Sequence, residues 1–338
     1  MKIHFKAIDL PFHHPFSISG GRTKTHQPSL IVYLDDDGLI GCGEAPAISY
    51  YSVTVAKMME DLEFNRKQIE SYIFSEPIKF WKFLNQIIPE NPFLMCALDI
   101  AAWDLYGKKL QQPLYRIWQT EWRHSPLTDY TIGIDTPEKM VAKMNAKPWP
   151  IYKIKLGTAD DIALVELLRK NTNAVLRIDA NASWTLPEAM IKIPLLKELG
   201  VELIEQPLAK DDFEGMKVLF ENSVLPLIAD ESCVFESDVE RCAPAFHGIN
   251  IKLTKCGGIT PALRMIQKAR QLNLLVMMGS MNECSIGSAA IANFIPQLDF
   301  VDADGPLLLS ADLATGLHFD FGRIRLEGKV GLGLLEFN

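Results

Sequence analysis

Five charged residues, Lys155, Asp179, Glu205, Asp230 and Lys252, each close a short apolar run, and they stand 24, 26, 25 and 22 residues apart. Each interval is about the length of one strand, one helix and their loops. A repeating strand-helix unit therefore brings all five side chains to the same height, at the mouth of a parallel barrel. Strand ends converge there, and charge is expensive unless it is compensated. A ring ordered cation, anion, anion, anion, cation is poorly explained as surface decoration.

The rest of the chain fits that frame. Apolar runs at 130–134, 151–156, 174–179, 201–205, 225–230, 248–253, 274–278 and 300–302 are separated by helix-sized stretches. They predict eight parallel strands of a (β/α)8-type barrel. The competing arrangement is an open doubly wound sheet, which gathers its site at one switch point rather than on many successive strand ends. The first third differs. Residues 29–34 and 39–44 flank the turn Asp35-Asp36-Asp37-Gly38 and read as a hairpin. From about Thr54 the pattern is helical, and the helix over 93–110 has Gly107 and Pro113 as stop signals. This predicts an α+β capping unit over 1–120, a barrel over 121–310, and a hairpin-like segment over 311–338 that returns to the first lobe.

A length of 338 residues suits one large barrel with an added smaller unit. With 48% apolar and 22% charged residues, the chain has ample material for a core. A net charge of −8 offers no basic face for a phosphate backbone, so nucleic acid is not an expected partner. No apolar run reaches the ~20 residues needed to span a bilayer, and the start has no signal-peptide core. The expectation is a cytoplasmic protein with no membrane partner. A homo-oligomer is compatible with the sequence but not readable from it. The six cysteines are scattered without zinc spacing and read as buried free thiols.

Three carboxylates gathered at one mouth repel one another, and a bound divalent cation is the simple remedy. Oxygen ligands select a hard ion, and Mg²⁺, one per chain, fits best. Taken singly, each acid reads better as a solvent-exposed helix cap or as an ion-pair partner of a neighbouring lysine; the set favours the cation. Lys153 and Lys155 are two apart on one strand and share a face. Like charges so close, with a metal nearby, are expected to lower each other's pKa and make a general base. Lys252 comes from the sixth strand, across the barrel from the second. Two such lysines can take a proton from one face of a carbon and return it to the other, through an enolate whose charge the metal offsets.

These residues resemble the enolase superfamily, in its muconate lactonising enzyme-like branch. The similarity runs nearly end to end: Gly41-Cys42-Gly43-Glu44-Ala45-Pro46, Ala97-Leu98-Asp99-Ile100-Ala101-Ala102-Trp103-Asp104-Leu105, Lys153-Ile154-Lys155, Asp179-Ala180-Asn181, Glu205-Gln206-Pro207, Asp230-Glu231-Ser232, and the stretch from Ile251-Lys252-Leu253 to Gly257-Gly258-Ile259. The resemblance implies an α/β fold, a modified TIM barrel (β/α)7β under an α+β capping domain. It implies Mg²⁺ on Asp179, Glu205 and Asp230, Lys155 and Lys252 as opposed acid/base groups, and Lys153 facing a substrate carboxylate.

The run Asp302-Ala303-Asp304-Gly305-Pro306 resembles the D-x-D-G-P of dipeptide epimerases, where two acids hold a dipeptide's ammonium group. The plainer reading of Asp302 and Asp304 is capping of the turn before Gly305-Pro306. Thr131 and Ser280 also resemble substrate-facing positions of that group. The expected activity is 1,1-proton transfer at the Cα of a dipeptide's C-terminal residue, with Ala-Xaa favoured. The alternatives are an o-succinylbenzoate synthase or muconate cycloisomerase on the same scaffold, and a barrel that binds without catalysis. Segments 17–25 and 47–53 are the expected lids, with Arg22 and Lys24 as candidates to meet an acidic second residue.

Overall fold

The computed structural model describes residues 1–18, 22–122 and 125–336. The chain opens with three antiparallel strands in sequence order, β1 (Lys2–Ile18), β2 (Arg22–Asp36) and β3 (Leu39–Pro46). The β2–β3 pair is the hairpin the sequence predicts, with the Gly38 N–H donating to Asp35 Oδ1 at its turn, 2.8 Å. β1 is not among the strands the sequence predicts. Its pairing with β2 shifts between Pro11 and Phe16, and prolines break both the ladder and the apolar alternation by which strands are recognised.

Alternate residues of β2 serve two cores. Leu30, Val32 and Leu34 pack with the cap helices α1 (Val55–Ser71), α2 (Pro77–Ile87) and α3 (Pro92–Lys109), while Ile31 joins the barrel core. Both faces are buried, so the run is apolar throughout rather than alternating. α3 is likewise buried nearly all round, with Cys96, Ile100 and Trp103 toward the barrel and Leu94, Leu98 and Leu105 toward the cap. As expected over 93–110, α3 runs through Gly107 and ends before Pro113. That glycine is required by packing: a Cβ there would stand 2.7 Å from the Gly331 Cα of the returning C-terminal segment.

The barrel strands are β4 (Tyr130–Ile132), β5 (Ile151–Lys155), β6 (Val175–Asp179), β7 (Val201–Glu205), β8 (Leu227–Ala229), β9 (Gly248–Ile251), β10 (Leu275–Gly279) and β11 (Phe300–Asp302). They pair in parallel and in sequence order. A parallel bridge between Thr128 and Val301 closes the ring. Arg177 on β6 reaches the same seam, donating to Asp129 Oδ2 at 2.9 Å and to the Val301 carbonyl at 3.1 Å. This unreversed order with closure rules out the open doubly wound sheet. Helices follow the first seven strands, ending with Ser285–Ala292, whereas β11 is followed by a single turn, Gly305–Leu308. Fold class is therefore α/β, a (β/α)7β barrel with a cap.

Inside the ring, Leu203, Ile228 and Met277 form an apolar plug below the polar mouth. After β11 the chain makes a short hairpin, β12 (Leu317–Asp320) with β13 (Arg323–Leu326). It then meets the cap, where Leu332 N–H donates to Asp104 Oδ1 of α3 at 2.9 Å. All six cysteines are free and buried. Among the described residues, no helix is long and apolar enough to cross a membrane.

Candidate active site

Strand alternation does most of the assembly. Lys153 and Lys155 leave β5 on its inner face, facing Asp179 at the end of β6 and Glu205 at the end of β7. Asp230 and Lys252 lie just past β8 and β9. Candidate ligand oxygens of Asp179, Glu205 and Asp230 lie within 4.8 Å of one another, and all three acids are buried. Lys155 Nζ stands 2.6 Å from Asp179 Oδ2, and Lys252 Nζ 2.7 Å from Asp230 Oδ2. Three strands separate β5 from β9 on either side of the ring of eight, so the two amines approach the mouth from opposite sides.

Lys153 lies between these groups, 2.7 Å from Glu205 Oε2, 2.7 Å from Asp302 Oδ2 and 3.2 Å from Asp179 Oδ2. Asp304 Oδ2 accepts the Thr131 N–H at 2.6 Å. The side chain of Asp304 makes no cap to the turn that follows it. Asp302 and Asp304 instead border a cavity of about 340 Å³, along with Thr131 and Ser280. Ser280 enters through its backbone too, its N–H donating to the Asp302 carbonyl at 2.8 Å. The cap roofs this cavity with Phe16, Lys24, Ile48, Tyr50 and Tyr51. Both expected lids thus contribute. The Arg22 side chain and residues 19–21 lie outside the described residues.

The electrostatics show a site short of positive charge. Burial pushes Asp179 up, but Lys155 and Lys153 more than reverse this and hold it at about 2. Burial and the neighbouring Asp179 carboxylate push Glu205 up to about 7. Glu231 rises to about 8 through burial and the adjacent Asp230, and Asp304 to about 7 through burial and Asp302. The lysines depart from expectation. Burial draws Lys153 and Lys252 down, but facing carboxylates, Asp302 and Glu205 for the first and Asp230 and Glu205 for the second, leave both above the ordinary lysine value. At Lys153 the facing acids outweigh both burial and the like-charge neighbour.

These features fit a divalent cation. Carboxylates driven upward by one another need more positive charge than the lysines supply. Glu205 Oε2, Glu231 Oε2 and Asn181 Oδ1 are buried oxygens without a hydrogen bond, Glu205 Oε2 meeting Lys153 only as an ion pair. An all-oxygen donor set suits Mg²⁺.

Several contributors were not singled out from the sequence. Asn250, two residues before Lys252 on the same strand face, donates to Glu205 Oε1 at 2.9 Å. The i, i+2 spacing that links Lys153 to Lys155 was the available signal. Lys255 places Nζ 2.6 Å from Asp230 Oδ1 and donates also to the Cys233 carbonyl at 2.9 Å, so that acid is gripped from two sides. A fourth lysine, one helical turn after Lys252, is its only trace in the sequence.

Fold and cluster together define a capped (β/α)7β barrel with a three-acid cation site at its mouth. Residues 3–118 match the mandelate racemase / muconate lactonizing enzyme N-terminal domain, and residues 136–335 the enolase C-terminal domain-like family. The chain belongs to the mandelate racemase / muconate lactonizing enzyme family of the enolase superfamily. It is 52% identical to an L-Ala-D/L-amino acid epimerase of Maribacter sp., over 98% of this chain and 96% of that one. The substrate-liganded L-Ala-D/L-Glu epimerase of Bacillus subtilis superposes with a TM-score of 0.93 at 29% identity, covering 100% of both chains. A Cytophaga hutchinsonii dipeptide epimerase, complexed with Mg and D-Ala-L-Val, gives 0.92 at 27% identity, over 99% of this chain and 95% of that one.

Proposed function

We propose that this chain is a Mg²⁺-dependent dipeptide epimerase, an isomerase that inverts the Cα of the C-terminal residue of an L-Ala-Xaa dipeptide. The observation that carries it is the placing of Lys155 and Lys252 on opposite sides of one cavity, with Asp302 and Asp304 at its border. In this reading the substrate ammonium lies against Asp302 and Asp304, and a lyase substrate without an ammonium would bring these two acids no cation. That anchoring sets Cα between the two amines. One lysine removes the α-proton, and the other returns a proton to the opposite face. Lys153 faces the substrate carboxylate and offsets charge as the enolate forms. Bound at Asp179, Glu205 and Asp230, Mg²⁺ supplies Lewis-acid polarisation that makes the α-hydrogen more acidic.

The likeness to the Maribacter enzyme supports an alanine first residue and a broad second one. Lys24, Tyr50 and Tyr51 line the cavity from the cap and take part in that choice. We assign 1–120 to the cap, 121–310 to the barrel and 311–338 to the returning segment. Six free, buried thiols suit the reducing cytoplasm. The test is a library of L-Ala-L-Xaa dipeptides with Mg²⁺ in heavy water. Deuterium entering the second Cα, with appearance of the L,D isomer, is the expected result; no exchange with any member ends the proposal.

A further inference from the structure

We infer that Gln206 is a positioning residue that joins the three acid-bearing loops into one rigid cation site. Gln206 directly follows Glu205 and is fully buried. Its Oε1 accepts the N–H of Asp230 at 3.0 Å and of Ser232 at 3.1 Å. Its Nε2 donates to the Leu208 carbonyl and to Ser232 Oγ, both at 2.9 Å. Two lone pairs and two hydrogens are all engaged, a set that a carboxamide matches: glutamate lacks the donors and methionine lacks both kinds of group. The backbone extends the tie. The Gln206 carbonyl accepts the Ala182 N–H at 2.8 Å, three residues past Asp179, and the Gln206 N–H donates to the Ile228 carbonyl at 2.9 Å. A φ of 37° puts this non-glycine residue in the left-handed region. Such a conformation persists only where the surroundings enforce it.

One residue thus carries Glu205 by covalent connection, Asp230 by its side chain and the Asp179 loop by its carbonyl. Its electrostatic effect on a cation is minor, because the amide is neutral and points away into the loops it clamps. The effect is geometric: it fixes where three mutually repelling carboxylates stop. The inference rests on the reading that those acids hold Mg²⁺, so its test uses Mg²⁺ alone on the full chain.

Calorimetric titration of metal-stripped wild type and Q206M with MgCl2 should show Mg²⁺ affinity lower by roughly 10- to 100-fold in the variant, the range for a group that orients ligands. The near-ultraviolet circular dichroism of Q206M should stay native. Saturating Mg²⁺ should then restore kcat to within a few-fold, because the ligands and both lysines are intact; a fold-maintenance role would depress kcat at every Mg²⁺ concentration. Q206E adds negative charge beside the acids, so weaker Mg²⁺ binding there cannot come from lost attraction. Should Q206M not fold, S232A removes one arm of the clamp and should weaken Mg²⁺ binding by a smaller factor. Unchanged affinity in folded Q206M or S232A overturns the inference while leaving the epimerase reading intact. Wild type that binds no Mg²⁺ overturns both.

Discussion

The Glu44 carboxylate, on the last strand of the cap sheet, accepts hydrogen bonds from the backbone N–H and the thiol of Cys284 on the barrel, at 3.1 and 2.9 Å. It accepts the Gly287 N–H as well, at 3.0 Å, and so occupies the amide-rich start of the helix Ser285–Ala292. That helix follows the loop bearing Ser280 at the cavity wall. A single carboxylate therefore fastens the roof of the site to its wall. E44Q keeps the shape but lacks the second acceptor oxygen. It should lose about 1–3 kcal/mol in urea unfolding, the cost of a buried donor left unpaired, and raise the dipeptide KM. Unaltered melting and KM would show that the hook is dispensable.

For the two lysines the prediction is stereochemical. K155A and K252A should each abolish epimerisation, while each retains α-hydrogen exchange with only one of the L,L and L,D isomers in heavy water, followed by NMR. Retention of opposite isomers by the two variants is the expected pattern. Equal exchange losses for both isomers in both variants would count against one base on each side.

Asp302 is bound to Lys153 at 2.7 Å. Burial pushes its carboxyl up, but Lys153 more than compensates and holds it below the usual range, as an anion ready for an ammonium. D302N should lower kcat/KM for L-Ala-Xaa by about 2–3 kcal/mol, roughly 30- to 160-fold, the value of a charge-assisted hydrogen bond. The control is an N-acetylated dipeptide, which carries no ammonium. Wild type should discriminate strongly against it and D302N hardly at all; equal discrimination by both would remove Asp302 from ammonium recognition.

The barrel was legible because its information is periodic. Residues 201–205 and 300–302 coincide with β7 and β11, and other strands differ by a few residues at their ends. Charges that end successive strands must converge in a closed parallel ring, so spacing alone brings Asp179, Glu205 and Asp230 together. β1 was illegible because Pro11 and Pro15 interrupt its pattern and because its pairing is long-range in origin. The role of Gly107 is illegible for a related reason: glycine marks both helix ends and close approaches, and only the three-dimensional path of Gly331 decides between them. The contacts of Gln206 and Asn250 are not legible, since their partners lie 24 and 45 residues away and a polar side chain does not announce its target.

Asp99 gives a prediction about pH and stability. It lies on α3, fully buried, where it accepts the Thr260 N–H at 2.7 Å and the Thr260 hydroxyl at 2.8 Å, at the start of the barrel helix Ile259–Gln271. The neighbouring Gly258 leaves room for it, since a Cβ there would come within 2.5 Å of Asp99 Oδ2. Burial pushes the Asp99 carboxyl up to about 7, with the Thr260 bonds only partly restraining the rise. In the unfolded chain it would titrate near 4. Below about pH 4 both states hold the proton and no penalty exists. Between about 4 and 7 the folded state keeps a proton that the unfolded state has released, so stability falls as pH rises. Above about pH 7 both are ionised and the folded protein bears the whole penalty, at most about 4 kcal/mol for a shift of this size. D99N retains the side-chain shape and cannot ionise. Urea unfolding of wild type and D99N across pH 5 to 8 should therefore show the variant gaining stability relative to wild type as pH increases, with the difference levelling off above about pH 7. Parallel curves for the two proteins would mean that Asp99 is ionised throughout and that the Thr260 bonds outweigh its burial.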